Sequence, residues 1–368
     1  MSNILDYFPW RGDLPFSTVP LNEVDALILS QLSMLNWTNV LKPDQTAALK
    51  KLKRLMFQHT VSMGCFTQEN DTELWDRVTN CVRFGDLEIS DFRHQWDQGA
   101  QVQFAAVTLH LPDDTIFVSF RGTDGTIVGW KEDCNMAFSP AVPAQEAARV
   151  YLNEIAGKYP VPIRVGGHSK GGNLAVFAAA SADDAVRDRI LAVYNNDGPG
   201  LSDQMDTRSL YGRLAGKLHT FVPHGSIIGM LLNQADHFTV VASNSVSILQ
   251  HDPYSWQIEG PHFVELPGLS PESASFRKAC RNWLSSIPPA DRESLIDAVF
   301  NVLGTAETTR FGPEFWSSLA SNPMAVLSAL SNITPSQRKL LGRMVTELGA
   351  ALLLPEDPGE EEIPDLRR

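Results

Sequence analysis

The chain has 368 residues, enough to bury a large core in one domain with appendages or in two domains. Its 43% hydrophobic and 20% charged residues exclude wholesale disorder. Against 43 acidic residues stand 30 basic ones, for a formal net charge of −13, and this argues against nucleic acid as a general partner, since phosphate neutralisation needs clustered Lys and Arg.

The N-terminal stretch "MSNILDYFPWRGDLPF" carries acids early and has no continuous apolar region, so no secretory signal is expected. No apolar run reaches membrane-spanning length, and the expected location is the cytoplasm. The four cysteines, Cys65, Cys81, Cys134 and Cys280, show neither CxxC nor Cys/His ligand spacing. Neither a disulfide framework nor a structural zinc site is expected.

In chain order, residues 1–60 read as a helical segment packing on the core. Within "NEVDALILSQLSMLNW", Val24, Leu27, Ile28, Leu32 and Leu35 recur at helical spacing, and a more basic helix follows in "PDQTAALKKLKRLMFQ". The stretches "QVQFAAVTLHL" (101–111) and "TIFVSF" (115–120) are β-rich and joined by "PDD", which predicts a hairpin. A helix is expected over 143–160, opened by Pro143 and closed by Gly157 and Pro160. The strand "VPIRV" comes next, then a Gly-rich turn and a helix through 173–190. Strands are predicted within 191–200, 217–226 and 238–245. Strands alternating with helices suggest a mainly parallel sheet covered by helices on both faces. The core thus spans 61–267, and 268–354 is a C-terminal helical region. There Thr334-Pro335-Ser336-Gln337 is a capping-box start, and Leu340, Leu341, Met344, Val345, Leu348 and Leu352 form one apolar face. Residues 355–368, Pro-rich and acidic, are expected to be a disordered tail.

The chemically informative stretch is "IRVGGHSKGGNLAVFAAA" (163–180). Gly167-His168-Ser169-Lys170-Gly171 fits G-x-S-x-G between a strand and a helix. A serine on such a turn sits in a strained backbone conformation. Small flanking residues avoid collision with the adjoining strand and helix, and the helix aims unsatisfied N–H groups at the serine. The Lys170 N–H can then face a developing oxyanion. Phosphate binding at a helix N-terminus and a purely structural Gly-rich turn are the competing readings, though the order of residues is wrong for a Walker loop.

Upstream, the strand 115–120 runs into "FRGTD" (120–124), where the Thr123 N–H is placed to be the second oxyanion donor. "SFRGTD" followed by "GGHSKGGNLA" resembles lipase-like α/β-hydrolases related to the fungal class-3 lipases. A closer match is an uncharacterised, mostly bacterial branch carrying "YFPWRGDLPF", "NEVDALILSQLS", "FRGTD", "GHSKGGNLA", "NNDGPG" and "QHDPYSW". The resemblance covers about residues 1–265 and leaves the C-terminal hundred without a signature. It implies an α/β-hydrolase fold, with a mainly parallel central sheet flanked by helices and helical N- and C-terminal extensions. It also implies a serine-hydrolase site, and no particular substrate.

In this fold the triad runs Ser, acid, His, each at the carboxyl end of a strand. His251, in the loop after the last predicted strand, stands where the base belongs. His237 opens that strand, His224 ends the one before, and His262 is a reserve. Fungal enzymes carry the acid at a place that here reads "VPHGS", with Ser226 and no carboxylate. Asp197, one strand earlier in "YNNDGPG", is the alternative acid, or else merely shapes its turn. Asp236 precedes a strand, and Asp252 adjoins His251 too closely to orient it.

Asp124, Glu132 and Asp133 fit a loop buttressing the oxyanion turn, with a metal or acid/base pair as the alternative. Lys170 is suited to a carboxylate of the protein or to an anionic substrate group. The leading reading is a serine hydrolase for carboxylic esters, with a small-molecule or lipid ester as substrate, needing no metal or organic cofactor. A catalytically inactive scaffold that binds a protein partner, and an acyltransferase using the same site, are the alternatives.

Overall fold

The computed structural model describes residues 2–353 apart from 65, 66, 307, 309, 311 and 312. The expected tail at 355–368, like Cys65, lies outside the described residues. The N-terminal part supplies α1 (Tyr7–Arg11), α2 (Glu23–Leu32), a short strand β1 (Ala47–Ala48), α3 (Leu49–Met56), α4 (Gln68–Asn80) and α5 (Val82–Gly85). Asn22 and Asp25 close a capping box that starts α2. Every residue from Val24 to Leu32 is buried, so α2 is enclosed on all sides rather than amphipathic. Leu35, expected on its apolar stripe, lies past its end and bridges Ser62. Asp25 forms a fully buried ion pair with Arg83, whose Nη1 donates to the Leu14 and Val19 carbonyls.

The sheet continues with β2 (Glu88–Asp97), β3 (Val102–Leu111) and β4 (Thr115–Phe120), the last two forming the hairpin that "PDD" predicts. After α6 (Ile127–Asn135) and α7 (Pro143–Lys158) come β5 (Ile163–His168), α8 (Lys170–Ser181) and α9 (Asp184–Arg187). The single helix expected through residue 190 is thus broken, because Ala182 turns to extended backbone after Ser181. β6 (Ile190–Asn196), α10 (Thr207–Gly212), β7 (Leu218–Pro223) and β8 (Thr239–Val241) follow. Next, β9 (Ile258–Glu259) and β10 (His262–Phe263) pair as a separate ribbon, and β11 (Glu265–Leu266) returns to the main sheet.

The nine strands lie in the order β1-β2-β3-β4-β5-β6-β7-β8-β11. Strands β4 to β8 are parallel neighbours, and both edges are antiparallel. This is an α/β-hydrolase fold: a large mixed sheet, parallel at its centre and flanked by helices. Consecutive parallel strands that sit side by side with right-handed crossovers must carry all their crossover helices on one face. α7 and α8 accordingly pack against Val118, Phe120, Val165 and Val193. The opposite face, with Phe117, Tyr194 and Phe221, is covered by the N-terminal segment, α2 foremost. The two-sided helical cover expected from alternation therefore exists, but the chain supplies it from different places.

Beyond the sheet lie α11 (Pro271–Ser286), α12 (Pro289–Leu303), α13 (Pro313–Ser321), α14 (Pro323–Ser331) and α15 (Pro335–Leu353). Phe276, Trp283 and Leu284 of α11 share a core with Val222 and Val240. Arg292 ties α12 to Asp203 through two bonds of 2.9 and 2.8 Å. The capping box at α15 forms, with Thr334 N donating to Gln337 Oε1 at 2.8 Å and Gln337 N to Thr334 Oγ1 at 3.2 Å. Leu340, Leu341, Met344 and Leu348 pack inward, whereas Val345 is 61% exposed and lies off that face. The side chain of Leu352 is outside the described residues. Among those described, no helix is long and apolar enough to cross a membrane.

Candidate active site

The carboxyl ends of the parallel strands converge on one rim. At the end of β5, Ser169 has φ 59 and ψ −133, a conformation in which an L-residue is strained. Glycine is required around it by crowding. A Cβ on Gly167 would lie 2.2 Å from the Gly171 backbone, and one on Gly171 would lie 2.1 Å from the Phe120 carbonyl oxygen. The turn can be this tight only because neither residue has a side chain. Ser169 is half-buried, and its N–H donates to the Asn196 carbonyl at 3.0 Å, fastening the turn to the next strand.

The loop after β4 runs alongside this turn. A Cβ on Gly122 would stand 3.4 Å from Ser169 Cβ, so the Gly122–Thr123 segment of this loop lies beside the serine. Among the described residues, neither the Thr123 N–H nor the Lys170 N–H donates to a protein acceptor. The loop is braced by Thr126 N donating to Asp124 Oδ1 at 3.1 Å and by Arg310 Nη2 donating to the Asp124 carbonyl at 2.7 Å. Arg121, fully buried 3.9 Å from Asp124, has its pKa brought down to about 10, chiefly by burial.

Lys170 is inside the protein, which answers one of the open choices. Its Nζ donates to Glu132 Oε2 at 2.5 Å and to the Gln103 carbonyl at 3.0 Å, and lies 3.3 Å from Asp133 Oδ1. Asp133 also accepts from the Thr123 hydroxyl. The Thr123 and Lys170 side chains thus meet at one acidic pair, Glu132 and Asp133, carried by α6 rather than by a loop. Burial opposes the charge on Lys170, yet Asp133 and Glu132 outweigh it and hold its pKa above the ordinary value. Burial likewise pushes both carboxyls up, against the pull of Lys170. Separating such a buried pair costs on the order of 3–5 kcal/mol, because the remaining charge stays unpaired. These acids are occupied by Lys170, and among the described residues no group of three or more His, Cys, Asp or Glu could hold a metal ion.

Asp197 leaves the end of β6 with φ 51, fully buried. His251 ends a 3₁₀ turn, Ser247–His251, after β8. The two side chains meet, His251 Nδ1 standing 2.6 Å from Asp197 Oδ2. The other carboxylate oxygen, Oδ1, accepts from Ser226 Oγ at 2.5 Å and Gly229 N at 3.2 Å. Ser226, in the place where the sequence showed no carboxylate, is therefore a hydrogen-bond donor to the acid that stands one strand earlier. Nothing in "VPHGS" alone signals this. A hydroxyl facing a strand-end carboxylate on the neighbouring parallel strand was the available clue.

The other candidate histidines lie away from Asp197. His224 Nδ1 is 2.8 Å from the Gly268 carbonyl, His262 Nδ1 is 3.0 Å from Glu23 Oε1, and His237 is exposed. Asp236 is exposed, and Asp252 accepts from Tyr254 N at 3.0 Å instead of reaching His251. Sequence reasoning passed over His168, since the motif leaves that position free. Its ring stacks on that of His251, with centroids 4.6 Å apart.

Three solved structures of lipases resemble the chain at low similarity. Lipase II from Rhizopus niveus is 13% identical over 54% of this chain and 83% of its own, with a TM-score of 0.34. The Rhizomucor miehei lipase–propeptide complex is 16% identical over 66% and 94%, also at 0.34. M37 lipase is 10% identical over 90% and 99%, at 0.41. The strand order and the tight Ser169 turn define the fold independently of these likenesses. No curated protein matches the chain. The family described as Mbeg1-like matches residues 78–301, which include Thr123, Ser169, Asp197 and His251 and make up more than half of the sequence. The chain belongs to the Mbeg1-like family.

Proposed function

We propose that this chain is a serine hydrolase that cleaves carboxylic esters through an acyl-enzyme on Ser169. His251 Nε2 takes the Ser169 proton as the oxygen attacks the acyl carbonyl. Asp197 keeps the Nδ1 proton of His251 in place and stabilises the imidazolium that forms. The Thr123 and Lys170 amides hold the oxyanion, a donor pair of the kind worth about 10² to 10³ in kcat for each member. His251 then returns the proton to the leaving alcohol, and water, deprotonated by the same imidazole, releases the acyl group. No step calls for a metal or an organic cofactor. The observation that carries this reading is the 2.6 Å contact between His251 and Asp197 on the rim where the strained Ser169 turn stands.

Water-soluble p-nitrophenyl esters offer a direct test, because their turnover needs no knowledge of the natural substrate. The full chain is expected to release p-nitrophenol catalytically from the butyrate ester. A rate no higher than that of an equal concentration of serum albumin would overturn the enzymatic reading and leave a protein-binding scaffold.

A further inference from the structure

Asp197 fixes how the His251 ring rotates, but a ring is only as well placed as the backbone that carries it. The approach to His251 supplies little packing: Val246, Ile248 and Leu249 are 69%, 52% and 64% exposed, and Ser247 has φ 50. Something other than this segment must fix residue 251. The His251 carbonyl oxygen lies 2.8 Å from His168 Nε2. A carbonyl oxygen can only accept, so His168 presents Nε2–H there. The same His168 ring lies face to face with the His251 ring at 4.6 Å and 30°, and meets the edge of Trp256 at 6.4 Å. Trp256, itself fully buried, donates Nε1–H to the Gln250 carbonyl at 2.9 Å, and Tyr254 Oη donates to buried Asp71 at 2.6 Å. Residues 250–256 are thus fastened from several sides, Gly225 N also donating to Gln250 Oε1 at 2.8 Å, and at His251 itself Asp197 holds the ring while His168 holds the backbone.

We propose that His168 is a positioning residue for the base, an imidazole whose Nε2–H holds the His251 backbone, and whose stacked face holds its ring, in register with the nucleophile one residue away. This rests on the reading of His251 as the base. Because His168 and Ser169 are consecutive, any shift of the elbow carries both the nucleophile and the strut of the base, and their separation is conserved. Burial first, and the neighbouring His251 ring second, hold the His168 pKa well below the ordinary histidine value. His168 therefore stays uncharged and does not compete for the proton that His251 receives. A neutral ring also stacks on the transient imidazolium without the repulsion that a second cation would bring.

The test uses His168→Leu, which removes the donor and keeps much of the bulk, and His168→Gln, whose side-chain N–H can replace Nε2–H. Kinetics with p-nitrophenyl butyrate are expressed per active serine, counted by fluorophosphonate labelling, so that misfolded protein does not enter. Leu is expected to lower kcat by about 10- to 100-fold with KM within about twofold, the range a small misplacement of a catalytic group produces. Gln should recover most of that loss. A Leu variant with wild-type kcat per active serine, or a Gln variant as poor as Leu, overturns the proposal. Should Leu fail to fold, ¹⁵N NMR of the histidine-labelled wild-type chain at neutral pH decides independently. His168 is expected as the Nε2–H tautomer, and finding the Nδ1–H tautomer overturns the proposal. Absence of turnover by the wild type would instead defeat the hydrolase reading, while the tautomer would still report on the contact.

Discussion

Ser169→Ala is expected to lower kcat for p-nitrophenyl esters by about 10⁶, the scale on which removing the nucleophile of a triad acts in subtilisin. The variant should fold, since Ser169 Oγ makes no hydrogen bond among the described residues and the φ of 59 that strains serine also strains alanine. KM for the residual reaction should move little, because the substituted oxygen contributes to bond making rather than to ground-state binding. Steady-state kinetics alongside circular dichroism would check both points. Retention of more than about a hundredth of wild-type kcat by a folded variant would remove Ser169 from the mechanism.

Asp197→Asn carries the second large effect, and Ser226 sets its direction. Asp197 Oδ1 accepts from two donors, Ser226 Oγ and Gly229 N, so the one oxygen of an amide at this position would be drawn there. The amide NH₂ would then face His251 Nδ1. Two N–H groups cannot share that contact, so His251 adopts the tautomer with its proton on Nε2, which cannot take a proton from serine. The expected loss is about 10⁴ in kcat, as for the equivalent substitution in a serine protease. Asp197→Glu, which keeps the charge but lengthens the side chain in a fully buried site, should also lose activity, through displacement rather than tautomer. If Asp197→Asn reduced kcat by less than about tenfold, Asp197 would be only a turn-shaping residue.

These expectations draw on a site that the sequence discloses unevenly. Ser169 was legible because steric demands at Gly167 and Gly171 leave few alternatives, and a strand and a helix flank them. That the loop after β4 comes to lie beside the serine was legible from its place after a strongly apolar strand. Ser226 and His168 were not, because each acts through a contact whose partner lies far along the chain, 29 and 83 residues away. Lys170 showed a charge beside the nucleophile but not its destination, since Glu132 and Asp133 reach it only once α6 packs against β3.

The fold divides in the same way. The hairpin of β3 and β4 follows from apolar runs around "PDD". β2 escaped notice because its residues run from buried at Ile89 and Ser90 to exposed from Gln95 to Asp97, with a bulge between Ser90 and Arg93 that breaks the alternation. The cover of the second face was hidden as well. Local periodicity shows that α2 is apolar, but which sheet face it closes depends on crossover handedness and on contacts with β4, β5 and β6. Chain order alone separates residues 268–353 from the core, yet Ser273 Oγ donates to the Ser226 carbonyl at 2.5 Å and Lys131 pairs with Asp297 at 2.8 Å. The C-terminal helices therefore abut the loop of Ser226, which donates to Asp197, and α6, which carries Glu132 and Asp133.

Covalent chemistry at a single oxygen, Ser169 Oγ, is what an acyl-enzyme mechanism here requires. Rapid-quench mass spectrometry of the full chain mixed with p-nitrophenyl butyrate tests it most directly, since acylation and its position are read in one experiment. One butyryl group, formed as p-nitrophenol is released and mapping to the peptide with Ser169, is the predicted result. Catalytic p-nitrophenol release with the acyl group on another residue, or at an undiminished rate in Ser169→Ala, would contradict it.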